Sequence, residues 1–149
     1  MDELIDRFNA AGIRYLVIGG QALRLEGMPR FSMDWDFFIP PRDLENIEKI
    51  NTLLKDELDL PLLALGDQGE HFVQTYQTRW GIVQFHLGGP GLPRYEVAEN
   101  RAVNRETEKG TTVPCLSSED LLHSKKTANR PQDQLDIEFL EKKKEAGFF

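Results

Sequence analysis

The run Met33-Asp-Trp-Asp-Phe-Phe-Ile39 constrains this chain more than any other stretch. Its aromatic content and the Pro40-Pro41 pair that closes it predict a β-strand. Residues two apart on a strand share a face. Asp34 and Asp36 therefore project one way, and Trp35, Phe37 and Ile39 the other. The apolar face must be covered, whereas the other face carries two carboxylates that repel each other. Folding alone gives no reason to put them together. A divalent cation does, because Mg²⁺ prefers carboxylate oxygens and shares one or two of them with substrate phosphates. Two solvated acids on an exposed strand face are the simpler reading of the same pair.

Around this strand the order of elements reads α-β-α-β-α, then mostly β, then two helices. Leu4, Ile5, Phe8 and Ala11 fall at helical spacing over residues 2–11, and Gly12 is a C-terminal stop. Arg14–Ile18 suits a buried strand; it runs into Gly19-Gly20, then a helical Gln21–Glu26 that Gly27 ends. Over residues 42–58, Leu44, Ile47, Ile50, Leu54 and Leu58 make one apolar stripe. Phe72–Arg79 and Ile82–Leu87 read as antiparallel neighbours joined through Trp80-Gly81. After a Gly88–Pro93 loop, Ala102–Glu106 and Thr111–Leu116 form a hairpin across Lys109-Gly110. Ser117 or Ser118 caps a helix whose first turn holds Glu119 and Asp120, and Pro131 opens a last helix with Leu135, Phe139 and Leu140. The fold class is α+β (mixed α/β), a sheet of about five strands flanked by helices. With 149 residues, 40% of them hydrophobic, and no repeat or linker, residues 1–149 read as one domain.

Composition excludes several classes. A net charge of −7 argues against a broad nucleic-acid-binding surface, which needs a basic face. No apolar run approaches the roughly 18 residues of a membrane span. The acidic, helix-like opening MDELIDRF is unlike a secretory signal. One cysteine, Cys115, excludes an intrachain disulfide framework and a multi-cysteine zinc site, so the expected address is cytoplasmic. Cys115 is apolar-flanked and reads as a buried thiol, not a nucleophile. His71 and His123 stand in no metal-ligand spacing with His86. Trp35 reads as core, and Trp80 as core or a base-stacking surface.

Gly19-Gly20 at a strand-to-helix junction lets backbone N–H groups approach a phosphate, although such a pair is also an ordinary tight turn. It is neither a P-loop nor a G-x-G-x-x-G fingerprint. The downstream sequence is more telling: thirteen residues separate Gly20 from Asp34-x-Asp36. Ile18-Gly19-Gly20 followed by Met33-Asp34-Trp35-Asp36-Phe37 resembles the signature of the DNA polymerase beta-like nucleotidyltransferase superfamily. The wider run YLVIGGQALRLEGMPRFSMDWDFFI is similar to small bacterial nucleotidyltransferases grouped with abortive-infection toxins and antibiotic-modifying enzymes. Gly27-Met-Pro-Arg-Phe-Ser32 matches their Gly-x-Pro-Arg-x-Thr/Ser. Ser118-Glu-Asp-Leu-Leu with Lys125, Ala128, Arg130, Asp133 and Asp136 resembles their closing helices.

The resemblance implies a nucleotidyltransferase-like fold and transfer of a nucleoside monophosphate from an NTP to an acceptor hydroxyl, with release of pyrophosphate. It implies that Gly19 and Gly20 hold the triphosphate and that Asp34 and Asp36 bind Mg²⁺ (or Mn²⁺). Lys125 is a phosphate ligand by family position and Arg30 a candidate for the same role. On residue type alone, Arg30 is equally a surface cation near an acidic site, and Lys125-Lys126 in a last helical turn is more often dipole-matched solvation.

One departure matters. The family carries a third carboxylate on a later strand, whereas Gly81-Ile-Val-Gln-Phe-His-Leu87 puts Gln84 and His86 on the polar face. Either His86 serves as general base in its place, as its ordinary pKa near 6.5 allows, or both are plain strand residues. Glu70 and Glu96 are further acids within reach of a loop. Two functional expectations compete: an enzyme with a substituted base, or a degenerate nucleotide-binding domain acting through a protein partner, as in a toxin–antitoxin pair. A small molecule, a tRNA end and a protein hydroxyl all suit as acceptor. The acidic charge favours a small cationic one.

Overall fold

The computed structural model describes all residues, 1–149. The apolar and polar faces of residues 33–39 organise it. Strands β1 (Leu16–Ile18) and β2 (Trp35–Phe38) pair antiparallel at the centre of one sheet, with Leu16 opposite Phe38 and Ile18 opposite Asp36. On one side β2 runs parallel to β4 (Gly81–His86), which pairs antiparallel with β3 (Val73–Thr78). On the other, β1 runs parallel to β6 (Thr112–Cys115), which pairs antiparallel with β5 (Val103–Glu106). The order is β3-β4-β2-β1-β6-β5. All the expected strand stretches pair, so the sheet has six strands where about five were expected.

Six helices flank it: α1 (Asp2–Ala10), α2 (Gly19–Leu25), α3 (Leu44–Leu53), α4 (Tyr95–Arg101), α5 (Ser118–Ala128) and α6 (Gln134–Glu145). A 3₁₀ turn, Pro131–Asp133, joins the last two. None is long and apolar enough to cross a membrane.

The core forms on the face that Trp35 and Phe37 share. Phe37 is fully buried and meets Phe8 and Tyr15 edge-on, at 5.4 and 5.7 Å between ring centres, and stacks on Phe85 at 5.7 Å. Leu4, Ile5 and Phe8 bury the expected face of α1 against it.

Two elements differ from the sequence reading. α3 ends at Leu53, with Leu54 as its C-cap, instead of continuing to residue 58. Its Asp43 cap accepts from the Asn46 N–H at 3.1 Å, which leaves Leu44 in the exposed first turn, outside the apolar stripe. Helix α4 has no counterpart in that reading. Buried Tyr95 anchors it, packing edge-on against Phe38 at 5.3 Å beneath the Arg14 guanidinium, which pairs with Glu99 and Asp43. In α6 the buried residues are Asp136 and Leu140, while Leu135 faces solvent. The concealed face of this helix is thus partly acidic, and its acid lines a cleft at the polar face of β2.

Candidate active site

The chain leaves β1 at Ile18 and turns sharply into α2 through Gly19, whose φ is +70°. The β1–β2 register places Asp36 beside this turn. A Cβ on Gly19 would lie 2.5 Å from Asp36 Oδ2; one on Gly20 would lie 2.7 Å from Ser32 Oγ and 3.3 Å from the Arg30 guanidinium carbon. Two independent demands, a left-handed φ and a close carboxylate, thus select glycine at position 19. Gln21 Nε2 donates to the Ser32 carbonyl at 2.8 Å, tying the 30–34 segment to α2.

The parallel β2–β4 pair supplies the next layer. Gln84 is the register partner of Asp36 and His86 that of Phe38. His86 Nε2 lies 2.9 Å from Asp36 Oδ1. An ionised carboxylate only accepts, so with Asp36 charged the imidazole donates this contact through Nε2–H, and Nδ1 is the ring nitrogen not committed to it. Asp34, Asp36, Gln84 and His86 line a cleft of about 600 Å³ together with Gly19, Gly20, Arg30 and Lys125. The expected site residues therefore share one cavity. Phe31 and Met33 form part of its wall and are 82% and 68% exposed, an apolar lip beside an ionic floor.

Opposite the strands lies a chain of alternating charges. Arg30 Nη1 donates to both Asp136 oxygens at 2.7 Å. Lys125 Nζ lies 3.1 Å from Asp136 Oδ2 and 3.2 Å from Asp133 Oδ1. Arg130 reaches Asp133 through Nε at 2.9 Å, Nη2 at 3.1 Å and its backbone N–H at 3.1 Å. The two acids are nearly sealed, with side chains 1% and 4% exposed. Burial pushes the Asp133 carboxyl upward, but the Arg130 hydrogen bonds and Lys125 outweigh it and bring it down to about 2. Arg30 and Lys125 thus line the cleft held by acids instead of solvated.

No protein-family model matches the sequence, and no curated sequence matches it. Solved structures do. A nucleotidyltransferase-like antigenic protein of Paracoccidioides brasiliensis superposes with a TM-score of 0.58 at 19% identity, over 93% of this chain and 72% of that one. A lincosamide antibiotic adenylyltransferase, LnuA, solved with lincomycin bound, gives 0.58 at 16% identity, over 93% and 92%. A putative nucleotidyltransferase of Thermotoga maritima gives 0.51 at 15% identity, over 97% and 86%. The chain has the nucleotidyltransferase fold.

Within that fold the other candidates fall away from the cleft. Glu70 closes a local turn, reaching the Gln68 N–H, and Glu96 is exposed on α4; neither lines the cavity. Cys115 is buried, and that burial pushes its thiol up to about 12, so it stays protonated at neutral pH. Trp35 belongs to the core, while Trp80 is partly buried against it, with the Arg7 and Arg79 guanidinium groups over its ring. His123 lines a separate, smaller cleft with Arg101, Glu119 and Asp120. The Gly88–Pro93 loop is pinned to α5. Ser124 Oγ donates to the Pro90 carbonyl at 2.9 Å, and a Cβ on Gly91 would lie 2.6 Å from Thr127 Oγ1. This delivers Leu92 to the cleft wall.

Sequence reasoning undervalued the acids of the closing helices. Asp133 and Asp136 entered it only as part of a family likeness. Their spacing of three within a turn-helix segment, eight and eleven residues after Lys125, was the available signal that they share one face.

Proposed function

We propose that this protein is a Mg²⁺-dependent nucleotidyltransferase, moving a nucleoside monophosphate from an NTP to an acceptor hydroxyl and releasing pyrophosphate. The observation that carries the reading is the placement of Asp36 against the glycine turn: a carboxylate, a close-approach backbone and Asp34 share one cleft with three cations. No three His, Cys, Asp or Glu side chains converge on a common point, so the chain offers no all-protein metal cage. Two carboxylates suit Mg²⁺, which is commonly held by one or two and completes its shell with phosphates and water. Asp34 and Asp36 would hold it, and it would neutralise charge on the phosphate oxygens.

The chain's own part is orientation and proton handling. Gly19 and Gly20 admit the phosphates to the backbone, and Arg30 and Lys125 bind their oxygens. The acceptor oxygen bonds to the α-phosphorus as the bond from that phosphorus to the α,β-bridging oxygen breaks, and pyrophosphate leaves with that electron pair. The acceptor proton passes to His86, whose Nδ1 is the nitrogen not committed to Asp36. The acidity of the chain and the apolar lip of Phe31 and Met33 favour a small, cationic, partly apolar acceptor. The lincomycin-bound adenylyltransferase makes small-molecule antibiotics the first acceptors to try.

A second reading has its own support. Gln84, not an acid, stands opposite Asp36. A domain that binds nucleotide but has lost transfer, acting through a protein partner, accounts for that residue. Calorimetric titration of each NTP with and without Mg²⁺, into wild type and Asp34→Asn/Asp36→Asn, tests both readings. Magnesium-dependent binding lost in the double variant supports the site, and absence of binding at millimolar NTP sinks it. Pyrophosphate release with acceptor candidates then separates the enzyme from the binding module.

A further inference from the structure

We infer that Asp133 and Asp136 are positioning residues that preset Arg30, Lys125 and Arg130 as one cradle for a chain of phosphates, with Arg130 its third cation. This rests on the nucleotide-binding proposal and extends it to residues that proposal does not use. The hydrogen-bond arithmetic supports it. Arg30 spends only Nη1 on Asp136, which leaves Nε and Nη2. Lys125 has three ammonium protons and two acid partners. Arg130 spends Nε and Nη2 on Asp133, which leaves Nη1. Each cation keeps at least one donor, and all three line the cleft that holds Asp34 and Asp36.

The three cations come from separate parts of the chain: the 26–34 connection, α5, and the turn into α6. Unrestrained, such long side chains lose rotamer freedom whenever they close on an anion. Two sealed carboxylates that each bridge two cations remove that loss beforehand and fix the spacing between positive charges. The hydrogen bonds that Arg130 donates to Asp133 hold its guanidinium above the ordinary range despite burial, and the Asp133, Asp136 and Asp36 charges add to this. A phosphate chain between the strands and the helices would meet all three.

A fixed spacing reads chain length, whereas loose cations read only charge. The test is calorimetry without divalent cations, titrating inorganic tripolyphosphate and orthophosphate into wild type, Arg130→Gln and Asp136→Asn. Wild type is expected to prefer tripolyphosphate clearly. Arg130→Gln is expected to weaken tripolyphosphate about tenfold, the worth of one charge-assisted hydrogen bond, and to move orthophosphate less than about threefold. Asp136→Asn makes the cleft more positive, so an acid that merely offsets charge would tighten both anions, tripolyphosphate the more because it carries the larger charge. A positioning acid instead lowers the preference between them, by about tenfold on the same basis. An unchanged preference in Arg130→Gln, or a tripolyphosphate preference that holds or rises in Asp136→Asn, overturns the inference. Should Asp136→Asn fail to fold, the half-exposed Arg130 decides alone. Chain-length preference without magnesium-dependent NTP binding would leave the cradle standing and the transfer reading fallen; NTP binding with an unaltered preference in Arg130→Gln would do the reverse.

Discussion

His86 Nε2 meets Asp36 Oδ1 at 2.9 Å across the parallel β2–β4 pair, two residues beyond Gln84, the register partner of Asp36. Neither polar-face residue of β4 is the expected third acid: one is an amide opposite Asp36, and the other grips that proposed metal ligand. If His86 takes the acceptor proton, His86→Gln should lower pyrophosphate release by about 100-fold or more at saturating acceptor, a general base's usual contribution. Calorimetric NTP affinity should stay within about threefold. A variant that transfers at the wild-type rate would remove His86 from the chemistry.

Gln84 offers the converse experiment. Gln84→Glu places an acid opposite Asp36, at one of the two polar-face positions of β4 where the resemblance leads one to expect it. An increase in transfer, or its appearance where wild type shows none, would identify the amide as the lesion. Unchanged transfer with intact NTP binding would show that the acid is dispensable here.

At Gly19 two constraints coincide, a φ of +70° and an Asp36 oxygen 2.5 Å from where a Cβ would sit. Gly19→Ala should cost about 1–3 kcal/mol of stability from backbone strain alone. It should also displace Asp36 and abolish magnesium-dependent NTP binding. Gly12, with a similar φ but open space around it, is the control: Gly12→Ala should cost stability and leave binding intact. Thermal melts and NTP titrations on both variants separate strain from site damage.

The core side of the sheet was legible because alternation in Met33–Ile39 and the 3.6-residue spacing in α1 are local patterns that burial enforces. The pairing of Asp36 with His86 was half legible. A shared polar face was readable, but which strand lies beside which depends on non-local pairing that no local pattern records. Helix α4 escaped for a related reason. Tyr95 is held by Phe38 and by Arg14, roughly 55–80 residues earlier in the chain. The acids of the closing helices were hidden because carboxylates near a helix start usually serve as solvated dipole partners. Only the fold shows that Asp133 and Asp136 face inward.

That inward placement has a consequence for acid stability. The Asp133 carboxyl lies at about 2 in the folded chain against an ordinary 3.8. A depressed carboxyl stabilises the fold fully above its unfolded value and loses that contribution as pH falls toward the folded one. The difference corresponds to roughly 2 kcal/mol at neutral pH. Asp133→Asn should therefore be less stable than wild type by at least about that amount near pH 7, because it also leaves Lys125 and Arg130 short of a partner. The gap should narrow between about pH 5 and pH 2, as wild type protonates the group that the variant lacks. Urea unfolding at a series of pH values measures it directly. A gap that stays constant down to about pH 2.5 would mean that the Asp133 charge contributes nothing and that its hydrogen-bonding shape alone holds the turn.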